Sequence, residues 1–135
     1  MRRRQIENVR ILHADGVEFL RHWCVDGAAR VIHVYFSDPW PKKRHHKRRV
    51  VQARTLADFH RVLEAGGEVR LVTDHEELWC WYEAHAARHG ELFVRVPFDA
   101  PASAGEGELV GTNYERKFRE EGRPFFAMTL RKATG

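Results

Sequence analysis

Residues Ala29 to Phe36, dense in Val, Ile and Tyr, read as a strand buried within a sheet. The chain leaves that strand into Ser37-Asp38-Pro39-Trp40-Pro41 and then places six cations within the eight residues Lys42 to Arg49. No Asp or Glu falls between Asp38 and Asp58. A buried strand ending in an acid on a proline-stiffened turn, followed at once by dense positive charge, can hold a polyanion and act on one of its groups. The pattern points to an enzyme that works on nucleic acid.

The surrounding periodicities fix the class of sheet. Val9–Leu12 is a short strand candidate ending at His13-Ala14-Asp15, and Val17, Leu20 and Trp23 have helical spacing. Val50–Leu63 is amphipathic and helical, stopped by Gly66-Gly67. Glu68–Thr73 alternates as a strand ending at Asp74, His75–His89 is a second helix closed by Gly90, and Leu92–Val96 is a further strand. Pro97–Val110 is a loop, Tyr114–Glu121 a short helix and Phe125–Arg131 a final strand. Strands alternating with helices over short connections predict an open, largely parallel α/β sheet. Ligands in such sheets bind outside the carboxyl ends of the strands, where this reading puts Asp15, Asp38 and Asp74.

Composition narrows the function. At 135 residues, 43% of them apolar, the chain has enough material for one domain with one core. The net charge is only +4, but Arg2–Arg4 and Lys42–Arg49 hold nine of the 23 basic residues. Clustering of that kind favours an anionic partner. The Lys42–Arg49 run has no interleaved apolar residues, so nucleic acid fits it better than a membrane surface. The two cysteines, Cys24 and Cys80, form no CxxC pair, and no segment has the length of a membrane span. A soluble cytoplasmic protein is expected, with no membrane and no metal.

Each candidate has a plainer reading beside it. Asp38 before Pro39 could simply start a turn, but Trp40 and the cations behind it favour function. The basic run could be a solvated face; at the carboxyl edge of a sheet its cations would instead grip a phosphate backbone without reading sequence. Asp74 could cap the helix after it, line the cleft, or both. Gly111-Thr112-Asn113-Tyr114-Glu115 could be an ordinary helix start, yet its side chains suit a base edge. His85 and His89 lie one turn apart without further ligands, and Trp40 could stack on a base or brace its own turn.

Ser37 to Arg49, together with Thr73-Asp74 and Gly111-Thr112-Asn113-Tyr114-Glu115-Arg116-Lys117-Phe118, resembles the tRNA (guanine-N7)-methyltransferase family over about Asn8 to the carboxyl terminus. The resemblance implies methyl transfer from S-adenosylmethionine to N7 of a guanine in the tRNA variable loop. It implies that Asp15 lies near the adenine of the donor and that Asp38 is the catalytic acid, adjacent to donor and guanine. Lys42, Asp74, Thr112, Asn113, Tyr114 and Glu115 match the substrate-contacting set, and Lys43, Arg44, Lys47, Arg48 and Arg49 would hold the tRNA backbone. Asp38 or Glu115 would accept hydrogen bonds from guanine N1–H and its exocyclic amine. The implied fold is a partial Rossmann-like class I methyltransferase, a mostly parallel sheet with an antiparallel final strand, its full strand order being 3-2-1-4-5-7-6.

The sequence also departs from that family. The glycine-rich turn after the first strand and the acid ending the second are absent, and Ser37 stands where Pro is commoner. Met1–Glu7 resembles the tail of the helix before the third strand. Residues 1–135 are therefore expected to be a single incomplete domain lacking the first two strands, from a misplaced start codon or a disrupted gene. Ala29–Phe36 would then be an exposed apolar edge, with Val9–Leu12 pairing irregularly beside it or poorly anchored. In the family the glycine-rich turn cradles the methyl donor and the acid ending the second strand binds its ribose. Two readings therefore remain open: a methyltransferase whose activity requires the missing amino-terminal part, or a non-catalytic tRNA-binding remnant or accessory module.

Overall fold

The structure is a computed structural model that describes residues 7–134. It contains helix α1 (Gly16–Trp23), strand β1 (Ala29–Tyr35), a 3-10 helix (Lys43–Arg48), helix α2 (Ala53–Val62), strand β2 (Leu63–Thr73), helix α3 (Glu76–Arg88), strand β3 (Phe93–Val96), helix α4 (Asn113–Glu120) and strand β4 (Phe126–Lys132). The four strands form one sheet in the order β1-β2-β4-β3. β1 and β2 are parallel, while β4 runs antiparallel to both β2 and β3. Three strands thus point one way and the last points back between two of them. This is the 4-5-7-6 half of the expected order.

β2 is central because it can be buried on both faces. Val69, Leu71, Val72 and Thr73 are all within 1% of complete burial. Alternation sends Val69 and Leu71 into a core with Leu56 and Phe59 of α2, Leu78 and Tyr82 of α3, and Met128 and Leu130 of β4. Leu20 of α1 and Ile32 and Val34 of β1 pack against that same cluster, so α1, α2 and α3 lie on one side of the sheet. The other side carries Glu68, Arg70 and Arg131, and the loop after β3 crosses it, with Arg70 stacked 4.1 Å from the Phe98 ring centre.

The α2–β2 junction differs from the sequence expectation. Gly66-Gly67 does not stop the helix. Leu63 is already extended (φ −72°, ψ 138°), fully buried, and paired with Ala29. The pairing then jumps to Val31 opposite Glu68, so residues 64–67 bulge out of the ladder. Gly66 takes a left-handed backbone (φ 79°), and a Cβ on Gly67 would lie 2.9 Å from the carbonyl oxygens of Arg30 and Glu64. The glycines serve the bulge, because the strand needs its tight return before resuming register.

Val9–Leu12 forms no strand. Val9, Ile11 and Leu12 are 43%, 83% and 62% exposed, and β1 pairs on one side only among the described residues. Of the two expectations for this segment, weak anchoring holds. Four side chains in a stretch this short cannot pay for ordering without a neighbouring strand to bury against. Asp15 accordingly follows no strand and instead caps α1. The helix tail read at Met1–Glu7 lies, except for Glu7, outside the described residues. No helix among the described residues is long and apolar enough to cross a membrane.

Truncating Leu71, fully buried at the centre of the core, is expected to cost roughly 2–5 kcal/mol. Urea unfolding of Leu71→Ala, followed by circular dichroism, should show that loss in its midpoint.

Candidate active site

The register of β1 on β2 sets Tyr35 opposite Val72, so the chain leaves both strands at one edge. Asp38 and Asp74 come together there. With Phe36, Ser37, Pro39, His75, Tyr114 and Arg123 they line a cavity of about 510 Å³. A second cavity of about 710 Å³ runs along β1 and under the start of α1 between Asp15 and Asp38, walled by Leu20, Ile32, Val34, Trp40, Val50 and Phe59 among others. Phe36, Ser37 and Asp38 line both cavities, and Asp38 stands where they meet. The Asp38 carboxylate has no hydrogen-bond or ion-pair partner among the described residues and is solvent-exposed.

The turn that presents Asp38 is contorted. Phe36 and Trp40, both bulky, adopt left-handed backbones with φ 54° and 43°. Each such residue costs on the order of 1–3 kcal/mol and persists only where its surroundings over-determine it. The Phe36 N–H donates to the carbonyl of Val72 at 2.8 Å, and its ring lies 4.4 Å from Tyr114 and 5.8 Å from Phe125, centre to centre. The Trp40 ring is flanked by Arg48 at 5.0 Å and His45 at 5.7 Å, so Trp40 braces its own turn in this structure.

The other acids are engaged. Asp15 Oδ1 accepts from the N–H groups of Val17 (2.9 Å) and Glu18 (3.1 Å), the N-cap of α1. Asp74 does not cap α3: His75 takes that place, its Nδ1 accepting from Leu78 N–H at 3.1 Å. Asp74 instead accepts from Arg123 at 2.9 Å across the mouth of the smaller cavity. That pairing draws on a residue between α4 and β4 for which the sequence offered no signal.

Glu115 is turned into the fold and does not line the cavity. It is fully buried, and its carboxylate accepts from the N–H groups of Leu109 (2.7 Å), Val110 (3.0 Å) and Gly111 (3.0 Å) and from Arg119 (2.8 Å). A carboxylate so engaged holds the end of the long loop onto α4. Burial works to raise its pKa, but the backbone donors and Arg119 outweigh burial and hold it below the usual carboxylate range. Gly111 is left-handed (φ 74°), and a Cβ there would stand 2.8 Å from the Ala104 backbone. Thr112 caps α4 by accepting from Glu115 N–H at 3.2 Å; Asn113 is exposed and Tyr114 lines the cavity.

The basic run also divides. Lys42, Lys43, Arg44, Lys47 and Arg48 are exposed on or beside the 3-10 helix. Arg49 departs from the expected phosphate-facing row: it is 2% exposed and turns inward, donating to the Pro39 carbonyl at 2.7 Å and to Glu77 at 2.8 Å over the Trp81 ring. The Arg49 hydrogen bond holds the Glu77 carboxyl below its ordinary pKa. Sequence alone could not separate Arg49 from its five cationic neighbours, since nothing in the run marks which one meets the core. His85 and His89 stack on one another, each Nδ1 against the carbonyl one turn back, and no group of three metal-ligating side chains occurs among the described residues.

Comparison with known proteins decides the family. A family profile described as "Putative methyltransferase" matches residues 1–128. This chain belongs to that family. Proteins named tRNA (guanine-N(7)-)-methyltransferase are similar to it: one from Streptococcus mutans is 35% identical over 127 residues, covering 94% of this chain and 59% of that one. Another from Agrobacterium fabrum is 36% identical over 130 residues, covering 96% and 56%. A third, from Corynebacterium glutamicum, is 44% identical over 79 residues, covering 58% and 31%. The chain spans well under two thirds of the length of these relatives. The resemblance read from the Asp-Pro-Trp and Thr-Asn-Tyr-Glu motifs is borne out at the level of the family.

The Glu115 knot makes stability pH-dependent. Because its folded pKa is depressed, its contribution is complete above about pH 4.5 and is lost as pH falls through the lower folded value. Glu115→Gln should lose roughly 2–4 kcal/mol at neutral pH. Below about pH 4.5 its urea midpoint should fall less steeply with pH than that of the parent chain.

Proposed function

We propose that this chain provides the base pocket and the phosphate-holding face of a tRNA (guanine-N7)-methyltransferase, with Asp38 as the acid at the reacting centre. The observation that carries the reading is the position of Asp38: a free carboxylate at the meeting point of two cavities, beside an exposed row of cations. Donor and base need separate compartments that touch at one point, and this arrangement offers that.

The smaller cavity suits the guanine. Phe36 and Tyr114 give it an aromatic wall, and Asp38 and Asp74 give it acceptors. Guanine N7 carries a free lone pair, so no proton has to be removed before it is methylated. The work left to the protein is alignment, and support for the positive charge the ring gains. Asp38 would accept from N1–H and the exocyclic amine, turning N7 towards the larger cavity. The base would have to leave its stack to enter. Lys42, Lys43, Arg44, Lys47 and Arg48 would hold the flanking phosphates. Glu115 has no direct part in this reading, and its contribution is to shape the Thr112–Tyr114 rim.

The larger cavity, which follows the edge of β1 that is unpaired among the described residues, would offer S-adenosylmethionine apolar walls for the adenosyl group and an acid at either end in Asp15 and Asp38. The donor, when bound, supplies a methyl on a sulfonium sulfur. Asp15 would act through the rim it forms as a helix cap, and the Asp38 carboxylate would lie near the sulfonium charge.

Calorimetric titration of the 135-residue chain with S-adenosylmethionine and with tRNA tests the proposal. The expected result is tRNA binding that weakens steeply with salt. Donor binding at micromolar strength would show that the missing glycine-rich turn and ribose acid are dispensable and would support the methyltransferase reading, whereas retained tRNA binding without donor binding would favour the accessory-module reading. Asp38→Asn should leave tRNA affinity within about two-fold while lowering methyl transfer by roughly 10²–10³-fold. Neutralising Lys43 or Arg44 should instead reduce the salt dependence of tRNA binding, by roughly 0.7–0.9 in the log–log slope per residue.

A further inference from the structure

The Asp38 carboxylate has no hydrogen-bond or ion-pair partner among the described residues, so its aim comes from the residues on either side of it. Both neighbours are gripped, and the grip comes from one helix. Ser37 Oγ lies 2.8 Å from the hydroxyl of Tyr82, a fully buried side chain of α3. The carbonyl of Pro39 accepts from Arg49 Nε at 2.7 Å. Arg49 is in turn fixed by Glu77 at 2.8 Å and lies over Trp81, its guanidinium 4.9 Å from the ring centre. Glu77 and Trp81 lie one turn apart on α3, and Tyr82 follows Trp81 directly. The segment they clasp is the one that carries two left-handed bulky residues, Phe36 and Trp40.

We propose that Arg49 is a positioning residue for Asp38: through Pro39 on one side, with Tyr82 holding Ser37 on the other, it locks the strained turn so that the free carboxylate points into the junction of the two cavities. A guanidinium is suited to the task because its planar fork donates in two directions at once while its face packs on Trp81. A lysine could keep one of those bonds but not the pair. Burial of a cation beside an exposed row of like charges is otherwise without use: it removes Arg49 from any phosphate and demands a partner in Glu77. The inference rests on the function proposed above for what Asp38 does, but not for how Asp38 is held.

The test compares the parent chain with Arg49→Gln, Arg49→Lys and Tyr82→Phe. The first readout is nuclear magnetic resonance of the turn: the strong intraresidue amide–Hα NOEs that positive φ gives Phe36 and Trp40, and contacts of Asp38 Hβ. In Arg49→Gln those NOEs should weaken towards unstructured values while the core signals stay dispersed, with Arg49→Lys intermediate. Where Arg49→Gln does not fold, Tyr82→Phe, which removes only a hydroxyl, should shift the Ser37–Trp40 signals selectively. The second readout is tRNA binding against salt, whose log–log slope should be the same in Arg49→Gln as in the parent. In methyl transfer kcat should fall about 10²-fold with KM for tRNA within about two-fold, as displacement of an aligned group predicts. Unchanged intraresidue NOEs and turn signals in a folded Arg49→Gln or Tyr82→Phe would overturn the proposal. So would a slope reduced by roughly 0.7–0.9, which would make Arg49 a phosphate contact. If the turn responds as stated but the parent chain neither binds donor nor transfers methyl, the functional reading fails and the positioning role stands.

Discussion

The burial of β2 is the constraint on which the site depends. Its odd-numbered residues from Val69 to Thr73 lie on the face covered by the helices, and Val72 is enclosed on the opposite face. A slip of one residue would exchange those faces, placing Arg70 in the core and Leu71 outside it. The register against β1 and β4 is therefore fixed by the core alone. Fixing it aligns the ends of β1 and β2, which puts Asp38 beside Asp74, and starts β4 at that same edge, with Phe126 opposite Thr73. Arg123 and Phe125 reach the site only because β4 begins there. The chemistry at the sheet edge is thus specified by apolar packing one to two turns away from it.

Within that edge, polar satisfaction sorts residues that look alike. Four acids, Asp15, Asp38, Asp74 and Glu115, are candidates by position. Glu115 is consumed by three backbone donors and Arg119, Asp15 by the first turn of α1, and Asp74 by Arg123. Three of these acids are spoken for by fixed donors, so the one that faces a cavity junction without a partner among the described residues is the one left to meet a ligand. Asp38 is that residue. The same sorting divides the cations. Five of the six between Lys42 and Arg49 stay in solvent, where they are available to an anion, while Arg49 enters the interior and becomes part of the frame.

Much of the fold could be read from the chain. The alternation of β-branched strands with amphipathic helices gave the α/β class, and the positions of α1, α3, β3, α4 and β4 fall within two residues of those expected. The misreadings share a cause. Gly66-Gly67 looked like a helix stop because glycine is permissive in many settings, and only the pairing of Leu63 with Ala29 reveals a bulge. Val9–Leu12 has strand composition, but a strand needs a neighbour, and composition does not supply one.

The sequence by itself determined the class of sheet, the placing of Asp38 at a strand end with cations behind it, and the family, because these follow from local periodicity and from residue order. Tertiary structure alone decided which of those residues are free to act. Asp38 is free, Glu115 is a buried tie, Arg49 is a brace, and Arg123 answers Asp74. For Arg49 with Glu77 and Asp74 with Arg123, partnership joins residues 28 and 49 positions apart, and no local pattern in a sequence encodes that. Glu115 finds its partners within six residues, but only the folded loop turns them towards it.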